Sequence, residues 1–479
     1  MQMKVDKLLC GQNATIRDVM LCIEKNAKGT AFIVDGESRI VGIVTDGDIR
    51  RLLIEGYGMN DRIAEYMNRD FVYASADDEP QEIAHKFNDT IRIIPIVNEK
   101  LQPVDYSEYN EDIHMSLAQP QLNGNEYKYL MDAFLSTWIS STGKYVKQFE
   151  ADFAKYCGVS YGVATSNGTT ALHLALTALG IGPGDEVIVP DLTFAATINA
   201  VLYTGAAPVI VDIEEDSWCM DPDEVIKAIT PRTKAVIPVH IYGQPCDMGR
   251  ICQIAEDNHL YVVEDCAEAH GARWEDRKVG SFGLISCFSF FGNKVITTGE
   301  GGMCMTDSKE LNDKMRMLRD HGMSKQRKYY HEVIGFNYRI TNLQAAIGTA
   351  QAERIDEILK WRTELEELYR TAFAKVPGVT LQRNDLTGRK KIAWLVSILV
   401  EEAKRDSVLE KLKSSGIDAR AFFIPLSGME IYKKYATNCK RSRSISKRGL
   451  NLPTTYEMNE EKIRKIASLV ASVLQEKSV

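Results

Sequence analysis

The chain has 479 residues, 44% of them apolar and 26% charged, the balance of a globular protein long enough for two or three domains. Its 58 basic and 66 acidic side chains leave a net charge of −8, which argues against general binding to nucleic acid or an anionic membrane surface. No apolar run reaches the length of a membrane span, and the first residues lack a signal-peptide core.

In chain order, 30–35 and 40–45 are β-rich runs separated by the turn residues Gly36-Glu37-Ser38, and 46–53 opens as a helix with acidic caps. A weaker copy follows, with a helix over 82–87 and a strand over 92–97. A helix–strand–strand–helix unit used twice predicts a paired module over 1–105, and the polar stretch 106–112 reads as a linker. From 113 onward strands and helices alternate, the pattern of an α/β domain. Strands are expected at 186–190, 208–212, 235–239 and 260–264, each continuous and β-branched, as for strands buried on both faces. Helices are expected at 169–179 and 248–258, with one long helix over 343–373. The remainder, with a strand over 392–400 and two helices, reads as a small α+β domain, giving domains of 113–355 and 356–479. Ten cysteines without a Cys-x-x-Cys pair suggest reduced thiols in a cytoplasmic protein, and eight dispersed histidines offer no metal-ligand cluster.

Chemistry concentrates at the predicted strand ends. Lys294 stands between the aromatic run Phe288-Ser289-Phe290-Phe291 and the glycine-rich turn Gly299-Glu300-Gly301-Gly302. An amine held there against an apolar wall is disfavoured as the ammonium and gains the nucleophilicity that a Schiff-base lysine requires. Gly168 and Thr169 open an apolar helix, where free N–H groups form an anion site. Asp265 ends a strand at the edge where open α/β sheets bind ligands, placed to pair with a protonated pyridine nitrogen. Ser289 and Phe194 lie at the same edge. Taken singly, each has a plain structural reading: a solvated lysine, an N-cap, a capping aspartate, a core phenylalanine.

Together these residues resemble a known family. Asn167-Gly168-Thr169, Glu264-Asp265-Cys266-Ala267-Glu268-Ala269, the run from Phe288 to Lys294, Gly335-Phe336-Asn337-Tyr338-Arg339 and Asn451-Leu452-Pro453 are similar to the DegT/StrS group of nucleotide-sugar aminotransferases. The resemblance implies the aspartate-aminotransferase-like (type I) α/β fold and pyridoxal 5′-phosphate as cofactor. By position, Lys294 would form the Schiff base and shuttle the proton, and Asp265 would pair with the ring nitrogen. Glu268 would lie near the ring hydroxyl, Phe194 would stack on the ring, and Gly168, Thr169 and Ser289 would hold the phosphate. Asn337 would reach the phosphate of a neighbouring subunit, so a homodimer is implied. The implied substrates are L-glutamate and a nucleotide-linked keto-deoxy sugar, first a GDP-linked 4-keto-6-deoxyhexose, for surface polysaccharide or glycan biosynthesis. A UDP- or dTDP-linked 3- or 4-keto sugar is the alternative.

Residues 3–104, with Gly42-Ile43-Val44-Thr45-x-x-Asp48, resemble a CBS domain pair, a module that often binds adenine nucleotides. The resemblance places Thr45 and Asp48 at the ribose. A nucleotide-sensing regulator without catalysis is therefore the reading from another class. The substrate end departs from the family pattern: Ser427 and Glu430 stand where relatives carry His and Pro, and Gln244 stands where GDP-sugar enzymes often carry His. His321, Arg327 and Ser427 are the candidate substrate contacts.

Overall fold

The computed structural model describes residues 5–78, 82–83, 86–87, 91–109 and 115–476, and the chain divides into two compact units, Met1–His114 and Met115–Val479. Among the described residues, no helix is long and apolar enough to cross a membrane.

The first unit is built twice on one plan. Strand β1 (Leu9–Gly11) pairs parallel with β2 (Thr30–Val34), which pairs antiparallel with β3 (Ile40–Thr45). Strands β4 (Ala74–Ser75), β5 (Ile93–Val97) and β6 (Pro103–Glu108) repeat that order and those directions. Even the register break recurs, at Ile33/Val34 in one sheet and Ile96/Val97 in the other. Alternation along β2 explains how the copies share a core. Ala31 and Ile33 pack with Ile16, Val19, Ile49 and Leu52 of the helices Ile16–Asn26 and Asp46–Ile54. Phe32 faces the other way, into a cluster with Ile93 and Val97 of the second copy. The expected linker is shorter than the sequence suggests: Tyr106, Ser107 and Glu108 belong to β6, opposite Pro95, Ile94 and Ile93. An apolar strand such as β5 would otherwise leave an open edge. Residues 110–112 of that linker, and part of the helix expected over 82–87, lie outside the described residues.

The second unit centres on a seven-stranded sheet. Its strands are β7 (Tyr161–Thr165), β8 (Glu186–Pro190), β9 (Ala207–Val211), β10 (Thr233–Val236) and β11 (Tyr261–Asp265), then β14 (Ile285–Ser289) and β15 (Gly302–Thr306) beyond a short hairpin, β12 (Arg273–Trp274) and β13 (Arg277–Lys278). The order is β7-β15-β14-β11-β10-β8-β9, and only β15 runs against its neighbours. Helices cover both faces, so β8 and β14 are buried at every residue, which is why β8 carries the apolar run Val187-Ile188-Val189 instead of alternation.

A second, antiparallel sheet runs β16-β18-β20-β19, from β16 (Thr380–Leu381), β18 (Val396–Leu399), β19 (Arg420–Ala421) and β20 (Gly449–Leu452), while β17 (Arg389–Lys390) joins the β12–β13 hairpin. Two expectations fail here. The single helix over 343–373 is two, Asn342–Glu353 and Ile355–Phe373, broken at Arg354 (φ −112°, ψ 8°), whose guanidinium is drawn to Asn123 and Glu357. The strand over 392–400 begins only at Val396, because the carbonyls of Ala393 and Trp394 accept from the buried Arg362 instead of a neighbouring strand.

Candidate active site

The ends of β8, β11 and β14 and the start of the helix Gly168–Ala178 open onto a cavity of about 640 Å³. At one end, Asn167 caps the helix: its side chain accepts from Thr170 N–H at 2.9 Å, and Thr170 Oγ1 accepts from Asn167 N–H at 3.2 Å. That box leaves the N–H groups of Gly168 and Thr169, which line the cavity, as donors for an anion. Ser289, the last residue of β14, lies so close that a Cβ on residue 168 would stand 2.8 Å from its Cβ. Gly168→Ala should therefore push the helix start off Ser289 and raise the Kd of a phosphate-bearing cofactor by about tenfold, measured by titration of the cofactor-free protein.

Asp265, the last residue of β11, is buried. Thr197 Oγ1 donates to its Oδ2 at 2.8 Å and Ala267 N–H to its Oδ1 at 3.2 Å. Burial pushes its carboxyl up, and these two donors pull it back only in part. The preceding residue, Glu264, turns to the opposite face. It accepts from the N–H groups of Gly280, Phe282 and Gly283 and from Ser286 Oγ, and bonds His240 Nε2 at 3.2 Å. His240, Glu264 and Cys266 bring ligand-type atoms within 4.8 Å of one another, but with these five partners and the Cys266 thiol at 4.0 Å, Glu264 is an anchor for the strand end.

Lys294 sits on the turn after β14, its N–H donating to Phe291 O at 2.9 Å. Only 12% of its side chain is exposed; Nζ lies 3.7 Å from Glu268 Oε1 and 3.8 Å from the ring centroid of Trp394. Burial lowers the proton affinity of this amine, while Glu268 and Asp265 oppose that shift. Burial pushes the Glu268 carboxyl up to about 7 against the pull of Lys294 and of the Tyr242 N–H, which donates to Oε2 at 2.9 Å. A carboxyl raised from 4.5 to about 7 on folding stabilises the fold most below pH 4.5, and that contribution is lost as pH rises to 7. Glu268→Gln should remove this contribution, so that the stability of the cofactor-free variant falls less than that of wild type between about pH 5 and about pH 8 in denaturant titrations.

The residues present fit pyridoxal phosphate. The helix start beside Gly168 suits the phosphate, the buried carboxylate of Asp265 suits a protonated ring nitrogen, and the Lys294 amine suits the aldehyde carbon. Phe194, 59% exposed and 5.8 Å from the ring of Phe423, offers a face for the ring.

Residues 120–471 match the DegT/DnrJ/EryC1/StrS aminotransferase family. The chain belongs to that family. It is a pyridoxal phosphate-dependent aminotransferase of the nucleotide-sugar class. It is 46% identical over 365 residues to the GDP-perosamine synthase of Caulobacter vibrioides, covering 75% of this chain and 98% of that one. The GDP-perosamine synthase of Escherichia coli O157:H7 is 42% identical over 351 residues, covering 73% and 96%. The putative sugar aminotransferase Spr1654 of Streptococcus pneumoniae in its PLP form superposes with a TM-score of 0.72 at 26% identity, covering 76% of this chain and 99% of that one. Residues 3–55 and 63–104 match the CBS domain.

Seven of the residues singled out in the sequence line the cavity: Gly168, Thr169, Phe194, Asp265, Glu268, Ser289 and Lys294. Asn337 does not line it; it is exposed and its Oδ1 accepts from Arg339 Nε at 3.1 Å. His321 and Arg327 are exposed on the same stretch, His321 in the left-handed region (φ 59°) with Nε2 3.2 Å from Arg339 and Arg327 stacked on Tyr330. Ser427 does not reach the cavity either: it is buried, with its N–H and hydroxyl donating to Asp191 at 2.6 and 2.8 Å. In the first unit Thr45 and Asp48 bond each other as a helix capping box, and Thr15 and Asp18 repeat that box one helix earlier. Sequence reasoning missed Thr197, Tyr242 and Trp394. The only signal for Trp394 was chemical: a buried indole needs an acceptor for its N–H.

Proposed function

We propose that this aminotransferase moves the amino group of L-glutamate onto a GDP-linked 4-keto-6-deoxyhexose, as a cytoplasmic homodimer serving surface polysaccharide or glycan synthesis. The observation that carries the reaction is the convergence of Lys294, Asp265 and the Gly168 helix start on one cavity. The sugar is supported by the perosamine synthases, which the chain matches over nearly their whole length.

Bound pyridoxal phosphate supplies an electron sink that stabilises negative charge on the carbon losing its proton. The chain's residues do the rest. Asp265 keeps a positive ring nitrogen partnered, and Glu268 and Trp394 hold the Lys294 amine. Lys294 Nζ moves the proton from the donor's carbon to the cofactor's aldehyde-derived carbon in one half of the reaction, and from there to the keto carbon of the sugar in the other. Because donor and acceptor use the same cavity, they bind in turn, and ping-pong kinetics follow. In this reading residues 113–355 carry the cofactor and 356–479 close the cavity from the other side. Asn337, exposed and outside its own cavity, would serve the phosphate of a partner subunit, as the family resemblance implies. A regulator without catalysis would have no need of the buried amine and carboxylates. The CBS pair is assigned an adenine nucleotide at the β3 end, where Thr45 and Asp48 fix the helix whose start would face the ligand.

A panel of GDP-, UDP- and dTDP-linked keto sugars with glutamate tests the reading. The GDP-4-keto-6-deoxyhexose should be aminated fastest. Faster turnover of a UDP- or dTDP-linked 3- or 4-keto sugar would replace it, and no amination of any would sink it.

A further inference from the structure

Trp394 is the aromatic wall against which the reacting amine lies, and three independent tethers fix it there. Its Nε1–H donates to the carbonyl of Asn293 at 2.8 Å, the peptide that leads directly into Lys294. Arg362, itself buried, donates from Nη1 to the carbonyls of Ala393 and Trp394 at 3.1 and 2.8 Å. Two residues earlier, the N–H of Ile392 donates to Gly243 O at 3.1 Å. The indole also stacks on Tyr242, with centroids 6.3 Å apart and planes 19° apart, and the N–H of Tyr242 donates to Glu268. Both walls facing Lys294 Nζ, the indole and the Glu268 carboxylate, are thus joined through Tyr242. That residue is fully buried and holds a left-handed backbone (φ 51°, ψ 25°), a conformation that costs energy for any non-glycine residue.

A lysine that must leave the cofactor and return to it in each half of the reaction faces a search problem, because its four-carbon stem has many rotamers. An aromatic face is a directional rest for an ammonium. We propose that Trp394 is a positioning residue of the transamination: its indole, keyed to the Asn293 carbonyl, is the rest on which the Lys294 amine lies opposite Glu268 whenever it is released from the cofactor. The proposal rests on Lys294 being the reacting lysine. The interruption of the strand expected over 392–400 then has a functional cause, since a regular strand there would engage the two carbonyls that Arg362 uses to hold the indole in place.

The charged and titratable groups around the amine are few. Glu268 is the contact, Asp265 acts through space, His270 is held neutral by burial behind Ser289, and Glu300 and Arg420 stand along the cavity wall. The ring therefore has a measurable share in holding the ammonium.

The test uses Trp394→Leu and Trp394→Phe. In cofactor-free protein, the rate at which Lys294 is acylated at neutral pH is read by mass spectrometry; the leucine variant should react about three- to tenfold faster, because leucine keeps the apolar wall that disfavours the ammonium and removes only the ring face that favours it. In the loaded enzyme kcat should fall about tenfold with both KM values close to wild type, while the thermal midpoint falls by a few degrees because a buried ring is truncated. The phenylalanine variant, which keeps a face but loses the N–H key, should fall between. An unchanged acylation rate with kcat within twofold of wild type in the leucine variant overturns the proposal. So does an equal kcat loss in both variants with no change in acylation, the mark of a purely structural role. If the leucine variant does not fold, wild-type acylation and kcat in the phenylalanine variant are enough to reject the proposed key. Failure of borohydride to fix the cofactor onto Lys294 of the wild type would sink the underlying reading instead.

Discussion

Lys294→Ala should reduce turnover by roughly four orders of magnitude while leaving the fold intact and the cofactor bound without a covalent link. The side chain contributes one amine to a cavity whose other contacts come from elsewhere. The phosphate end depends on the Gly168 helix start, the ring end on Asp265 and Thr197, and neither contains an atom of residue 294. Truncating the lysine takes the cation from buried Glu268, but burial already pushes that carboxyl up to about 7, so it takes up a proton instead of standing as an unpaired charge and the fold survives. The variant should retain visible cofactor absorbance after gel filtration, yet borohydride should fix none of it to the chain, as read by mass spectrometry. Turnover within tenfold of wild type would remove Lys294 from the reaction, and with it the reason for the walls that Glu268 and Trp394 make around it.

Much of this site is legible in the sequence because its parts are local. Gly168 and Asp265 each end or begin an element whose type the sequence declares: an apolar helix after a small-residue turn, and a β-branched strand ending on an acid. The sheet edge follows from that pattern, since apolar strands that alternate with helices read as a mostly parallel sheet covered on both faces. What was not legible depends on which distant group occupies a polar atom. Nothing in 392–400 says that Arg362, thirty residues earlier, takes two of its carbonyls. Nothing near Arg354 signals a helix break, because arginine is a good helix former; the break goes with a side chain drawn to Asn123. Position in the sequence makes Ser427 a candidate substrate contact, but Asp191, buried at the end of β8, binds both its N–H and its hydroxyl. The doubling of the first unit shows the same division. Its strand pattern was readable, whereas the extension of β6 through Tyr106–Glu108 depends on β5 needing a partner along its edge.

Asp265→Asn should separate stability from activity more sharply than any other change. Asparagine keeps the shape of the side chain and can still accept from Thr197 Oγ1 at the position now 2.8 Å away. It removes a carboxylate that burial disfavours more than two donors, Lys294 and His240 together favour it in the cofactor-free protein. The cofactor-free variant should therefore be as stable as wild type or more so in denaturant titrations near neutral pH, where the buried charge costs most. The bound state reverses the balance. A protonated ring nitrogen needs an anion beside it, and a neutral amide leaves that nitrogen unprotonated, so negative charge on the reacting carbon loses its sink. Expected losses are about tenfold in cofactor affinity and roughly two to four orders of magnitude in kcat, with the pH dependence of what remains displaced from that of wild type. A variant that is destabilised when cofactor-free but nearly wild type in kcat would assign Asp265 to the architecture of the β11 end. A stable variant that binds cofactor yet barely turns over would assign it to the ring, because the amide preserves the packing and removes only the charge.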